Sequence, residues 1–126
     1  MRARRVVLFV DDEVITRDVV EAMLDRDDLE LHTAHDGETA LRIAGDVRPD
    51  LVLLDIMMPG IDGIDVCKQL HETYGTEAPR VVMLTARADD VSRRAALDAG
   101  ASAYIVKPFS AIDLFRVVDE VVVRGS

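Results

Sequence analysis

Tryptophan is absent from this chain, aromatic residues make up only 4% of it, and cysteine occurs once, at Cys67. A lone cysteine excludes an internal disulfide, so the chain is no disulfide scaffold, and it fits a reducing, cytoplasmic setting. Scarce aromatics leave the core to Val, Leu, Ile, Ala and Met. Positive charge is also in short supply: 15 Lys and Arg stand against 24 Asp and Glu, for a net charge of −9. Such a surface repels phosphate backbones, which argues against direct nucleic-acid binding. The basic start, Arg2, Arg4 and Arg5, is too short to reverse this, and no isolated apolar segment of the signal-peptide kind follows it. The longest apolar runs are five residues or so, against the ~20 that a membrane helix needs. No low-complexity segment, linker or repeat is evident. What remains is 126 residues of 49% hydrophobic content, enough for a core and too apolar for a disordered chain. Residues 1–126 are read as one soluble domain, with its core from about 5 to 123.

The apolar pattern alternates in type. Val6–Val10 is a short apolar run, as in a strand buried on both faces. Asp12 is placed to cap a helix with apolar positions Ile15, Val19, Val20, Met23 and Leu24. Leu29–Ala34 alternates apolar and polar, predicting a half-exposed edge strand. Asp36-Gly37 opens a second helix with Ala40, Leu41 and Ala44 inward, and Arg48-Pro49 ends it. Leu51–Leu54 is a third strand. After the Pro59-Gly60 turn, Asp62 is placed to cap a helix carrying Ile64, Val66, Cys67 and Leu70. A fourth strand, Val81–Leu84, precedes a weakly amphipathic helix over Ala88–Ala99 that Gly100 terminates. Ala103–Val106 is a fifth strand. Ser110 and Asp113 form a variant capping box for a last helix that buries Leu114, Phe115, Val118, Val121 and Val122. Strict alternation of five strands and five helices predicts an α/β doubly wound (βα)5 fold, flavodoxin-like, with a parallel sheet of order 2-1-3-4-5.

In such sheets ligands bind beyond the carboxyl ends of the strands, where the strand order reverses. Here the first strand runs into Asp11-Asp12-Glu13, the third into Asp55, the fourth into Thr85-Ala86 and the fifth into Lys107-Pro108. Taken singly, Asp55 reads as a cap or turn residue, the Asp11-Asp12 pair as a dipole-favoured N-cap, and Lys107 as a solvated charge. Together they bring three carboxylates, a hydroxyl and an ammonium group to one sheet edge. Clustered carboxylates repel one another unless a cation relieves them. Mg²⁺ suits such a site, since it takes oxygen ligands and often pairs carboxylates with a phosphate. Asp55 could then act as a nucleophile toward phosphorus, with Lys107 neutralising charge and Thr85 donating a hydrogen bond to a phosphoryl oxygen.

The segments Val10-Asp11-Asp12-Glu13, Leu53-Leu54-Asp55-Ile56-Met57-Met58-Pro59-Gly60-Ile61-Asp62-Gly63, Leu84-Thr85-Ala86 and Val106-Lys107-Pro108-Phe109 resemble the motifs of response regulator receiver domains of two-component signalling, of the chemotaxis-regulator kind. The resemblance spans about residues 5 to 123. It implies that Asp55 is the phosphoacceptor, taking its phosphoryl group from a phosphohistidine on a sensor histidine kinase or phosphotransfer protein. Mg²⁺, with Mn²⁺ as the alternative ion, would be held by Asp11, Asp12, Asp55 and the backbone carbonyl of Met57. Thr85 and Lys107 would contact the phosphoryl group, and Tyr104 would be the aromatic switch residue that turns inward with Thr85. The Lys107–Pro108 peptide is implied to be cis. Met57 and Arg87 would flank the path of attacking water and slow hydrolysis by their bulk.

A phosphorylation-operated switch of this kind would remodel the face of helix 4, strand 5 and helix 5. It would thereby control a downstream effector or an output domain of its own, with a phosphorylation-dependent homodimer as one form of output. Such a domain is not an enzyme beyond its own phosphorylation and dephosphorylation. Ser102 and Ala103 after Gly100-Ala101 lack the acids of the winged-helix transcription-factor dimer type. A second reading is a metal-dependent phosphohydrolase with an aspartyl-phosphate intermediate, but such enzymes put Asp-x-Asp directly after the first strand. A flavodoxin-like electron carrier would need a Ser/Thr/Gly-rich phosphate loop there, and Asp-Asp-Glu repels phosphate. Scattered His32, His35 and His71 read as surface or boundary residues, and Cys67 as a small core residue. No membrane association is expected.

Overall fold

The computed structural model describes residues 4–86 and 89–124, with the side chains of the last helix followed to Val121. Among the described residues the chain alternates β1 (Arg5–Val10), α1 (Val14–Met23), β2 (Leu29–Ala34), α2 (Gly37–Val47), β3 (Leu51–Asp55), α3 (Gly63–Tyr74), β4 (Arg80–Thr85), α4 (Asp90–Asp98), β5 (Ala103–Val106) and α5 (Ala111–Arg124), with a 3-10 turn at Gly75–Glu77. The five strands form one parallel sheet of order β2-β1-β3-β4-β5. The predicted doubly wound fold is therefore the observed one, with β2 at an edge.

Strand residues alternate between two apolar layers. Leu8, Val10, Val52, Leu54, Val81 and Met83 pack with Ala40 and Ala44 of α2, Val66, Cys67 and Leu70 of α3, and Ala96 of α4. Val7, Phe9, Leu51, Leu53, Val82 and Leu84 face the other way, against Val20 and Leu24 at α1 and Leu114, Val118 and Val121 of α5. Every residue of β3 is buried, which is why its sequence shows no alternation.

Local chemistry sets the helix boundaries. The Asp36 carboxylate accepts from the Thr39 N–H at 2.8 Å, that of Asp62 from the Asp65 N–H at 2.9 Å, and that of Asp89 from the Ser92 N–H at 2.8 Å. Ser110 and Asp113 close the expected reciprocal box, with the Asp113 N–H donating to Ser110 Oγ at 3.2 Å and the Ser110 N–H to Asp113 Oδ2 at 3.0 Å. Arg48 ends α2 in the left-handed region, and Gly100, at φ 107°, turns the chain after α4.

Three expectations need correction. Glu13, not Asp12, holds the N-cap position of α1, and its side chain makes no cap bond; Asp12 instead belongs to the carboxylate cluster described below. Ile15 and Val19 are exposed, at 69% and 46%, and are not core. The apolar stripe of α1 is wider than the face it buries: Val20 and Leu24 join the core against the sheet, while Ile15 and Val19 stay in solvent. Finally, α4 begins at Asp90, after its Asp89 cap; Ala88 lies outside the described residues, as do the Arg87 position and the Val122 side chain.

Candidate functional site

Strand register builds the site. Val10 pairs with Leu54, so Asp11 and Asp55 leave adjacent strands side by side. Asp55 pairs with Leu84 and Thr85 with Val106, which brings Thr85 and Lys107 alongside. Among the described residues, the buried polar or charged side chains are Arg5, Asp11, Asp55 and Thr85. The last three stand at this one edge, where burying polar groups costs most unless they are paired.

Lys107 is the shared partner. Its Nζ lies 2.8 Å from Asp11 Oδ2 and 3.4 Å from Asp55 Oδ2, and its backbone N–H donates to the Thr85 carbonyl at 2.7 Å. The Lys107–Pro108 peptide is cis. Asp11 Oδ1 accepts from the Glu13 N–H at 2.9 Å, and Asp55 Oδ1 from the Met57 N–H at 3.3 Å. Burial pushes the Asp55 carboxyl above its ordinary pKa; Lys107 opposes the shift, Asp11 reinforces it, and the net direction is up. Burial also works against charge on Lys107, but the Asp11 hydrogen bond and the two facing carboxylates outweigh it and raise its pKa.

Asp11, Asp12 and Asp55 each offer a carboxylate oxygen, and these atoms lie within 4.8 Å of one another. Hard oxygen donors, three like charges and one exposed member fit a hard divalent cation that keeps part of its water shell, as Mg²⁺ does. The Met57 side chain is 67% exposed beside Asp55. Tyr104 is half-buried on β5, with the Arg93 guanidinium 5.4 Å from its ring centre. Beside the cluster, Ile15, Val19, Pro108 and Phe109 line an apolar depression of about 500 Å³.

Other polar candidates lie apart from this edge. His32 pairs with Glu30 at 2.7 Å, and His35 stands 3.3 Å from Asp36. His71 Nδ1 is 2.9 Å from the Cys67 carbonyl. Cys67 is fully buried, and burial pushes its thiol up to about 11, as its core reading requires.

Two residues of the site were given no role in the sequence reading. Gly63 lets α3 approach the strand end: a Cβ there would stand 2.4 Å from the Asp55 carbonyl oxygen and 2.9 Å from the Ile56 Cα. Arg17 reaches back from α1, its Nη1 2.8 Å from the Asp11 carbonyl oxygen. Gly63 closes the Leu53–Gly63 segment that carries the resemblance, and Arg17 is a cation near a helix N-terminus, but neither signal by itself assigns the residue its role.

A parallel sheet with acids at its switch point and a lysine reaching across them defines the class, a doubly wound α/β domain with an acidic site at its strand ends, and comparison with known proteins gives the family. The response regulator receiver domain model matches residues 7–119. The chain belongs to that family. It is similar to the chemotaxis protein CheY4 of Vibrio cholerae, at 29% identity over 94% of this chain and 99% of that one, with a TM-score of 0.87. A Chloroflexus aurantiacus protein described as a response regulator shares 32% identity over 96% and 99%, with a TM-score of 0.86. A chain of the CheX–CheY–BeF3–Mg²⁺ complex of Borrelia burgdorferi shares 30% over 94% and 90%, with a TM-score of 0.84.

Proposed function

We propose that residues 1–126 form one receiver domain whose Asp55 accepts a phosphoryl group from a phosphohistidine on a sensor histidine kinase or phosphotransfer protein. The observation that carries this reading is Lys107 held between Asp11 and Asp55, within a cluster of three carboxylates on adjacent strand ends. Asp11, Asp12, Asp55 and the Met57 carbonyl would hold Mg²⁺, or Mn²⁺ in its place; when bound, the ion supplies charge neutralisation for the carboxylates and the incoming phosphoryl oxygens. The Borrelia complex contains Mg²⁺ and a beryllofluoride group with a protein of this kind, which supports the choice.

In the transfer, an Asp55 carboxylate oxygen forms a bond to phosphorus as the phosphorus–nitrogen bond to the donor imidazole breaks, and the electron pair leaves with the imidazole nitrogen. Lys107 holds charge developing on the phosphoryl oxygens, and the Thr85 hydroxyl donates to one of them. Water later cleaves the aspartyl phosphate. Met57, exposed beside Asp55, slows that step, as does Arg87.

The output is a shift of the α4–β5–α5 face, where Val91, Leu97 and Val106 are exposed at 80%, 45% and 38%. Thr85 and Tyr104 link the site to this face. Its partner is a downstream effector, an output domain of the same protein or, after phosphorylation, a second copy. The setting is cytoplasmic; among the described residues no helix is long and apolar enough to cross a membrane.

Acetyl phosphate with Mg²⁺, followed by intact mass spectrometry, tests the reading. The expected result is one added HPO3 unit on Asp55, absent in Asp55→Asn and lost faster in Met57→Asn. No adduct, or steady turnover of phosphomonoesters by an aspartyl-phosphate hydrolase, would overturn it.

A further inference from the structure

The three carboxylates of the cluster are not equally secured. Asp11 is held at both oxygens, by the Glu13 N–H and by Lys107. Asp55 accepts from the Met57 N–H and faces Lys107. The Asp12 side chain is exposed, and among the described residues no hydrogen bond or ion pair fixes its carboxylate. Its place is therefore set through the backbone, above all by the peptide that joins it to Asp11.

That peptide has no regular partner. The Asp11 N–H still donates to the Ala34 carbonyl at 3.1 Å, as if β1 continued. Its carbonyl lies past the strand and before the helix, whose opening bond runs from the Arg17 N–H to the Glu13 carbonyl at 3.1 Å. The Arg17 side chain fills the gap, with Nη1 2.8 Å from the Asp11 carbonyl oxygen. Asp11, Asp12 and Glu13 directly precede α1, so a cation in its first turns suits the local charge, and charge alone could account for Arg17 being there. What charge does not explain is the contact it makes: the one resolved polar contact of the Arg17 side chain is to this peptide.

We propose that Arg17 is a positioning residue of the carboxylate cluster: its guanidinium fixes the plane of the Asp11–Asp12 peptide and so aims Asp12 at the ion. This rests on reading the cluster as a Mg²⁺ site. The sign of the effect separates positioning from charge. A guanidinium this close repels Mg²⁺, so if Arg17 acted only as a charge, its removal would tighten Mg²⁺ binding. If it positions Asp12, its removal weakens binding.

Calorimetric Mg²⁺ titration of the full chain, with metal-free melting temperatures measured in parallel, decides between these. Arg17→Met keeps the apolar stem and loses the donor; its Kd for Mg²⁺ should rise about tenfold, the low end for losing a partner that orients a ligand. Its metal-free melting temperature should stay close to wild type. Arg17→Lys retains a donor and should recover most of the affinity. An Arg17→Met Kd equal to or below wild type overturns the proposal and leaves the Mg²⁺ site standing. So does a metal-free melting temperature that falls in step with affinity while Arg17→Lys does no better. A wild-type chain that binds no Mg²⁺ overturns the site reading itself and this proposal with it.

Discussion

Asp55 ends a strand whose other residues are all apolar and buried, so its carboxylate is tolerable only because Lys107 and the Met57 N–H face it. The same crowding dictates Gly63. The Gly63 N–H donates to the Ile56 carbonyl at 3.0 Å, and a methyl group there would run into backbone atoms that have no rotamer to escape to. Gly63→Ala should therefore destabilise the fold by about 2 kcal/mol or more, read from urea midpoints. Gly45, exposed in α2 with its nearest atom at an ordinary 3.5 Å, gives the opposite sign: Gly45→Ala should stabilise by about 0.5–1 kcal/mol. A neutral Gly63→Ala would mean that α3 does not press on the Asp55 loop. The contrast also shows what single residues disclose. Asp11, Asp55, Thr85 and Lys107 were legible because each directly follows or closes an apolar strand. The roles of Gly63 and Arg17 were not, because Gly63 matters for the Cβ it lacks and Arg17 for a backbone carbonyl, and neither shows in a pattern of side chains.

Elements were read more securely where burial was complete. β1, β3 and β4 are continuous apolar runs, and all lie at the centre of the sheet. α1 misled because periodicity reports an apolar stripe without saying how much of it is covered; Ile15 and Val19 complete the stripe and remain in solvent. Caps were legible at α2 and α3 and missed at α4, where the Asp89 cap lies inside the helix expected from Ala88. Asp36 and Asp62 cap as expected, whereas Asp12 stands one residue before the N-cap Glu13 and belongs to the cluster, and α1 starts without a side-chain cap. Substitution should expose the difference. Asp36→Ala and Asp62→Ala should each cost ~1 kcal/mol in chemical denaturation. Glu13→Ala should cost much less, since the Glu13 side chain bonds the Thr16 hydroxyl and no helix N–H. Equal losses at all three positions would show that α1 is capped after all.

At the scale of the whole molecule, an acidic chain of net charge −9 concentrates three carboxylates at one point, and this should set its stability. The folded state raises the pKa of Asp55 through burial and through Asp11. Between the ordinary carboxylate value and that raised value, the folded chain keeps a proton that the unfolded chain has lost. The contribution of Asp55 to stability therefore falls as pH rises through this window and stays unfavourable at neutral pH. Asp55→Asn, which carries no charge at any pH, should raise the metal-free melting temperature at pH 7, and its advantage should shrink as pH falls into the window. Lys107 keeps its 2.8 Å bond to Asp11 in that variant, so the ammonium group is not orphaned. A cation that binds only the folded cluster supplies the same relief by mass action. Mg²⁺ at ten times its Kd should add ~1.4 kcal/mol, a rise of roughly 5 °C for a domain of this size, and chelation should reverse it. The Mg²⁺ increment should shrink in Asp55→Asn because a ligand and a charge are both gone. Thermal melts of both proteins, with and without millimolar Mg²⁺, at pH 7 and at pH values descending into that window, measure all of this. A wild-type melting temperature indifferent to Mg²⁺, or an Asp55→Asn chain less stable than wild type without metal, would show that the cluster does not strain the fold.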